Sequence, residues 1–196
     1  MSKVVTVDLK EYSEQEDLLD SLHLSYKAFM DTSQWDRYSP EDIDRHYISF
    51  YQEANEYKTK YGIDLLDENI DHAITRSLTM IYSHCAQTCL QKLSAASVAR
   101  DVHVVDLIAN HANEFFNRTP TDLKPCPHKE FTKQLEQARI HCHVTFAQQL
   151  SQELKSKHHD MVTQQFMSHN IFAHYESAGQ YPPALNTDQN LDLWAT

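Results

Sequence analysis

The longest helical pattern of apolar positions in the chain runs from Asp64 to Leu93. Its apolar residues recur at steps of three and four, which places them on one side of a helix with 3.6 residues per turn. They are Leu66, Ile70, Ala73, Ile74, Leu78, Ile81, Cys85, Cys89 and Leu93. The spacing predicts a central helix of roughly 45 Å. Either Asp64 or Asp67 is expected to cap it.

A shorter helix is predicted from the capping box at Ser13–Glu16, where a hydroxyl and a carboxylate satisfy two unpaired backbone donors. Apolar residues then recur on one helical face as far as Asp31. They are Leu18, Leu19, Leu22, Tyr26, Phe29 and Met30. Residues 1–12 are expected to form a short extended or disordered lead.

A second helix is predicted to begin after Ser39, where an N-cap serine precedes Pro40 and two acidic residues. We expect it to end near Lys60, because Gly62 is a typical C-terminal stop. Its inward residues are Ile43, Tyr47, Phe50, Tyr51, Ala54 and Tyr57.

The small residues at 94–97 are expected to end the central helix, with Ser97 capping a fourth one. One continuous bent helix over residues 64–117 is the alternative, since alanine and serine are tolerated inside helices. The inward residues of the fourth helix are Val98, Val102, Val105, Ile108, Ala112 and Phe116. Three prolines make residues 117–127 a connector.

A second long helix is predicted from about Pro127 to Leu154. Its inward residues are Phe131, Leu135, Ala138, Cys142, Phe146, Leu150 and Leu154. Asp160 is expected to cap a sixth helix that Gly179 closes. We expect that helix to bury Val162, Phe166, Ile171 and Phe172.

These elements predict an all-α bundle of about six helices, two of them long. The chain has only two glycines, fewer than a β-rich or nucleotide-binding fold normally needs for its turns and phosphate loops. We expect one α-helical domain over residues 1–180. Residues 181–196, which start with Tyr181-Pro182-Pro183, are expected to form a flexible tail.

The chain carries a formal net charge of −11, with 17 Lys and Arg against 28 Asp and Glu. This disfavours non-specific nucleic-acid binding. No basic-then-apolar leader and no apolar run near 18 residues is present, so export and membrane insertion are not expected. The four cysteines are interpreted as reduced thiols in the cytoplasm.

Thirteen histidines raise the question of a metal site. The Glu-x-x-His pairs of di-iron bundles and the His-Glu-x-x-His of zinc peptidases do not occur. The remaining weak candidates are His84, Cys85 and Cys89 on the central helix, and the pair of His111 and Glu114. The cysteines follow the apolar stripe, so the sequence favours a core role for them.

Nucleophile elbows, Walker loops and dinucleotide fingerprints are also missing, which favours a non-enzymatic protein without a cofactor. We expect a helical adaptor or chaperone-like protein that binds another protein through a basic or apolar groove on the partner. Bacterial secretion adaptors offer an analogy of class only. The candidate partner-binding residues are Trp35, Tyr181, Leu185, Leu191, Leu193 and Trp194. Self-association into a homo-oligomer is compatible with this hypothesis, and a metal- or small-ligand-binding bundle with sensor or enzymatic activity is the alternative.

Overall fold

The computed structural model describes residues 9–180 of the 196-residue chain. Within that range it contains six α-helices, two short 3-10 helices and no β-strand, which confirms the all-α prediction. The helices are α1 Leu9–Met30, α2 Pro40–Tyr61, α3 Glu68–Ser94, α4 Val102–Arg118, α5 His128–Ser156 and α6 Met161–Ser177. The 3-10 helices span Thr32–Trp35 and Thr121–Leu123. The expected flexible tail at 181–196 lies outside the described residues.

The contacts between Cα atoms divide the chain into two compact units. Within the described residues, the first unit holds residues 9–85 and Phe115–Lys124, and the second holds Ala86–Glu114 and residues 125–180. The division therefore falls within α3 and within α4. The assignment of residues 1–180 to one domain stays a prediction.

Helix α1 begins earlier than its capping-box motif predicts. It starts at Leu9, so Ser13 lies inside the helix and the predicted start is wrong. Residues 9–12 contain neither proline nor glycine, and nothing in them prevents one further turn. The predicted extended or disordered lead is therefore wrong for residues 9–12, and residues 1–8 lie outside the described residues.

Helix α2 follows its sequence signals closely. Ser39 Oγ accepts a hydrogen bond from the Asp42 backbone N–H, and the Asp42 carboxylate accepts one from the Ser39 backbone. At the other end Gly62 adopts the left-handed conformation with φ +70°, a region that glycine enters without a steric penalty. Both predicted ends of α2 are confirmed.

Two helices, not one bent helix, lie between residues 64 and 118. Asp67 caps α3, because its carboxylate accepts from the Ile70 backbone N–H at 2.9 Å. The predicted break after α3 is confirmed, but Ser97 does not cap α4. Asp101 does so, accepting from the backbone N–H groups of His103 and Val104.

Ser97 instead completes the C-terminal end of α3. Its backbone N–H donates to the Lys92 carbonyl at 2.9 Å, and the Ala96 N–H donates to the Leu93 carbonyl at 3.0 Å. These two bonds define a Schellman motif, whose left-handed position is usually glycine. Here that position is Ala96, with φ +47°.

The core of the first unit is built largely from aromatic rings. Phe29, 1 % exposed, stacks on Trp35 at 5.3 Å between ring centroids. It meets Phe50 edge-on at 5.9 Å and Tyr47 at 6.2 Å. Such ring pairs contribute about 0.5–1.5 kcal/mol each beyond the area that they bury. The packing joins α1, the first 3-10 helix and α2 into one core.

In the second unit, α5 and α6 pack along each other. Ala147, Ile171 and Tyr175 form a buried cluster, with Leu150 and Leu154 packed against it. Asp160 caps α6, as predicted, by accepting from the Thr163 backbone N–H at 2.8 Å. Gly179 closes α6 in the left-handed conformation with φ +64°, which is also confirmed.

The predicted inward face of α6 is wrong for three of its four residues. Val162, Phe166 and Phe172 are exposed, and only Ile171 is buried. The buried face consists of Met167, Ile171, His174, Tyr175 and Ala178. Apolar residues occur on both sides of this helix, so the packing against α5 decides which side is buried.

Candidate functional site

The outward side of α6 carries exposed apolar side chains. We call this surface the α6 outer face and define it by Met161, Val162 and Phe166. Val162 is 75 % exposed, Met161 73 % and Phe166 68 %. Val162 and Phe166 are four residues apart, which makes them neighbours on the helix surface. Adjacent apolar side chains with this exposure are a candidate interaction site.

The α6 outer face is also almost without charge. Among the 17 residues of Met161–Ser177 there is no Lys, Arg or Asp, and Glu176 is the one acidic residue. Charged residues make up 23 % of the whole chain, so α6 is strongly depleted in them. Depletion of charge together with enrichment of aromatic residues and methionine is the composition of an interface core.

A pair of buried histidines lies on the opposite side of α6. His143 on α5 and His174 on α6 are both fully buried, and their Nδ1 atoms are 2.9 Å apart. His143 Nε2 lies 3.2 Å from the carboxylate of Asp106 on α4. Arg139 also donates to Asp106, at 3.1 Å, and binds Glu136 on its other side. The three helices thus meet at a polar network inside the second unit.

The hydrogen-bond geometry assigns the protons of this pair. Because a carboxylate only accepts, His143 Nε2–H must donate to Asp106. The Nδ1 atom of neutral His143 is then an acceptor, so the hydrogen bond between the two rings needs a proton on His174 Nδ1. The second ring nitrogen of His174, Nε2, is buried, and the backbone of Arg100 acts on the pKa of this ring.

Burial keeps both rings neutral. It lowers the pKa of His174 to about 4, with a further contribution from the neighbouring His143 ring. The backbone of Arg100 and the carboxylates of Asp101 and Asp106 oppose this shift. Burial also lowers the pKa of His143, although the hydrogen bond and the charge of Asp106 act to raise it. The free energy cost of burying an imidazolium exceeds the stabilisation that the nearby carboxylates would give it.

The residues singled out as metal candidates do not come together. His84 Nε2 lies 2.8 Å from Asp36, while Cys85 and Cys89 are buried. The interpretation of the cysteines as core residues is therefore confirmed. His111 and Glu114 remain on α4, where they share no cluster with the other candidates. Across residues 9–180, no group of three or more His, Cys, Asp or Glu side chains could hold a metal ion.

The candidate partner-binding residues divide into one buried residue and five that are not described. Trp35 is 4 % exposed, and its indole Nε1–H donates to the Ala28 carbonyl at 3.0 Å. Its side chain is part of the first unit's core, not an exposed anchor. The remaining candidates lie outside the described residues: Tyr181, Leu185, Leu191, Leu193 and Trp194.

Sequence reasoning missed two features of this site. Val162 and Phe166 were expected to be buried, whereas they form the α6 outer face. His174 was not singled out, although it lies three residues after Ile171 and seven after Met167. That spacing places a histidine on the buried face of α6, and it was the signal available in the sequence.

No protein-family model matches the chain, and no curated protein or solved structure is significantly similar to it. Among the described residues, no helix combines the length and apolar character that crossing a membrane requires.

Proposed function

We propose that this protein is a non-enzymatic helical adaptor that binds another protein through the α6 outer face. The observation that carries the proposal is an exposed Phe166 beside Val162, on a helix with no Lys, Arg or Asp. A helix face that only meets water normally carries charge. A large aromatic side chain as exposed as Phe166 is typical of the anchors on which binding energy concentrates.

The kind of partner follows from the spacing of this face. Val162 and Phe166 are one helical turn apart, about 6 Å along α6. Such a pair fits between side chains on the apolar side of an amphipathic helix from another protein. Because neither residue is charged, the selectivity of docking is expected to come from the fit of Phe166 into the partner. Charge attraction contributes little here.

A photo-crosslinking amino acid at position 166 tests the proposal in the native host. The matched control position is Leu107 on α4, which is 50 % exposed. We expect a crosslink to one other protein from position 166 and none from position 107. Phe166→Asp is expected to weaken binding to that protein by at least about tenfold, while Leu107→Asp leaves it unchanged.

Two results would overturn the proposal. Identical crosslinks from positions 166 and 107 would show that the α6 outer face is not selective. A crosslink only to a second copy of this chain, with a dimer seen by light scattering, would make it a self-association surface. Because Phe166 is 68 % exposed, Phe166→Asp should keep its helical circular dichroism, so lost binding cannot be assigned to unfolding.

A further inference from the structure

A pocket of about 510 Å³ opens beside Trp35 in the first unit. We call it the Trp35 pocket. The Phe29 and Trp35 rings lie against it, and Tyr38 and His46 form a wall. Leu24, 66 % exposed, stands at the rim. Its volume falls within the range of pockets that take small molecules.

The rings around the Trp35 pocket are held in place before any ligand arrives. Trp35 lies 5.3 Å from Tyr38 and 5.4 Å from His46, and those two rings are 5.5 Å apart. The hydrogen bond from Trp35 to the Ala28 carbonyl prevents the indole from turning. A fixed set of rings that offers both faces and edges binds a planar aromatic group at little entropic cost.

The charged residue that lines the Trp35 pocket is basic. It is Arg37, in a stretch of sequence, residues 1–76, that holds 17 acidic and 8 basic residues. Arg37 is exposed and forms no ion pair with any residue in the described range 9–180. A guanidinium with a fork of donors is suited to binding a carboxylate through two parallel hydrogen bonds.

The carboxylates nearest to Arg37 in the sequence are already engaged elsewhere. Asp36 lies 2.8 Å from His84, and Asp31 accepts from Ser33 and Gln34. Glu41 lies 3.4 Å from Arg118, and Asp42 is bound to the N-cap serine of α2 and to a neighbouring arginine. The Arg37 guanidinium is thus left for a ligand.

We propose that the Trp35 pocket binds a small planar aromatic carboxylate. The ring packs against the exposed Tyr38 and His46 rings beside Trp35, and the carboxylate pairs with Arg37 at the mouth. This site is independent of the α6 outer face, because all of its lining residues belong to the first unit. The proposal therefore stands or falls apart from the proposed adaptor function.

The probe is 2-naphthoate, titrated into the ¹⁵N-labelled full-length protein. The chain has two tryptophans, so two indole N–H signals are expected, and Trp194→Phe assigns them. We expect a saturable shift of the Trp35 signal with a Kd of about 1 mM or below. A signal that has not begun to saturate at about 5 mM would overturn the proposal.

Two controls test the role of charge. The neutral analogue 2-naphthylmethanol has the same ring, and we expect it to bind at least about tenfold more weakly. Arg37→Gln should remove that difference. The matched variant Arg45→Gln should keep it, because Arg45 is a similarly exposed arginine already paired with Asp42. Equal affinity for both probes in the wild type, or an equal loss in both variants, would refute a carboxylate site at Arg37.

Discussion

The two units of this protein differ in the side chains that they bury. In the first unit the core is made of aromatic rings, and polar side chains at its edge contact charged ones. Tyr82 donates to Asp44, which also binds Arg118. In the second unit two imidazoles are fully buried and contact each other. A polar group inside a core costs free energy unless its hydrogen bonds are made, so protonation is expected to affect the second unit's core more than a core of rings.

The C-terminal ends of α2 and α3 also differ. In the first unit α2 has a complete capping box and a left-handed glycine at Gly62. In the second, the left-handed residue at the end of α3 is Ala96, where most sequences would use glycine. The alanine pays a steric penalty in this conformation that glycine avoids.

The largest expected effect tests whether ring packing holds the first unit together. Phe29→Ala removes a ring that contacts three other aromatic side chains. We expect the free energy of unfolding to fall by about 3–5 kcal/mol in urea denaturation. Leu24→Ala, on the same helix but 66 % exposed, should change it by less than about 0.5 kcal/mol. A loss below about 1 kcal/mol for Phe29→Ala would show that the rings are not the main support.

The next effect concerns the buried imidazoles of the second unit. His174 has a pKa of about 4 when folded and 6.5 as its ordinary value, so between these pH values the unfolded chain binds more protons. The free energy of unfolding should therefore fall as pH decreases from 6.5 to 4, by roughly 3 kcal/mol from this group. Above pH 6.5 this contribution is fully present.

Urea midpoints at several pH values measure this loss. His174→Phe should flatten the pH dependence between 6.5 and 4, since the group that takes up the proton in the unfolded chain is gone. His169→Gln, an exposed histidine on the same helix, should leave the slope nearly as it is in the wild type. If both variants flattened it equally, the pH response could not be assigned to the buried pair.

A smaller effect tests the capping of α2. Ser39→Ala removes the acceptor for the Asp42 backbone N–H and should cost about 1 kcal/mol. As a control, Ser94→Ala changes a serine at a helix end whose hydroxyl only donates to the Leu90 carbonyl one turn earlier. It should stay within about 0.5 kcal/mol of the wild type. Equal costs would mean that the capping box adds nothing specific.

The smallest effect is a gain in the second unit. Ala96→Gly relieves a left-handed alanine and should raise the free energy of unfolding by about 0.5–1 kcal/mol. Ala95→Gly is the matched control, because Ala95 has no positive φ and should gain nothing. The reverse change, Gly179→Ala, should destabilise α6 through its backbone alone, since a Cβ there meets no atom within 4 Å. A loss in Ala96→Gly would remove the contrast between the helix ends.

Local patterns were sufficient for most of the fold. The caps at Ser39 and Asp160 and the glycines at 62 and 179 act within a few residues, so their effects can be read from neighbouring letters. The long apolar stripes of α3 and α5 identify buried faces because each has one apolar side.

The features that could not be predicted from the sequence depend on contacts between different helices. Helix α6 has apolar residues on both sides, and only its contact with α5 selects Ile171 over Phe166 as the buried one. Trp35 was expected to bind a partner, but it is buried against Phe29 of α1 and His46 of α2. The Trp35 pocket likewise joins residues from α1, a 3-10 helix and α2, which no local pattern connects.

The buried cysteines of the unmodified protein can be used to measure local unfolding. Cys126 is partly accessible, whereas Cys85, Cys89 and Cys142 are buried, and burial raises the pKa of Cys142 to about 11. The thiolate attacks the electrophilic reagent, so the buried thiols can be labelled only when their helices open. Cys85 belongs to the first unit, and Cys89 and Cys142 belong to the second. Labelling rates read by mass spectrometry would thus give a separate protection factor for each unit.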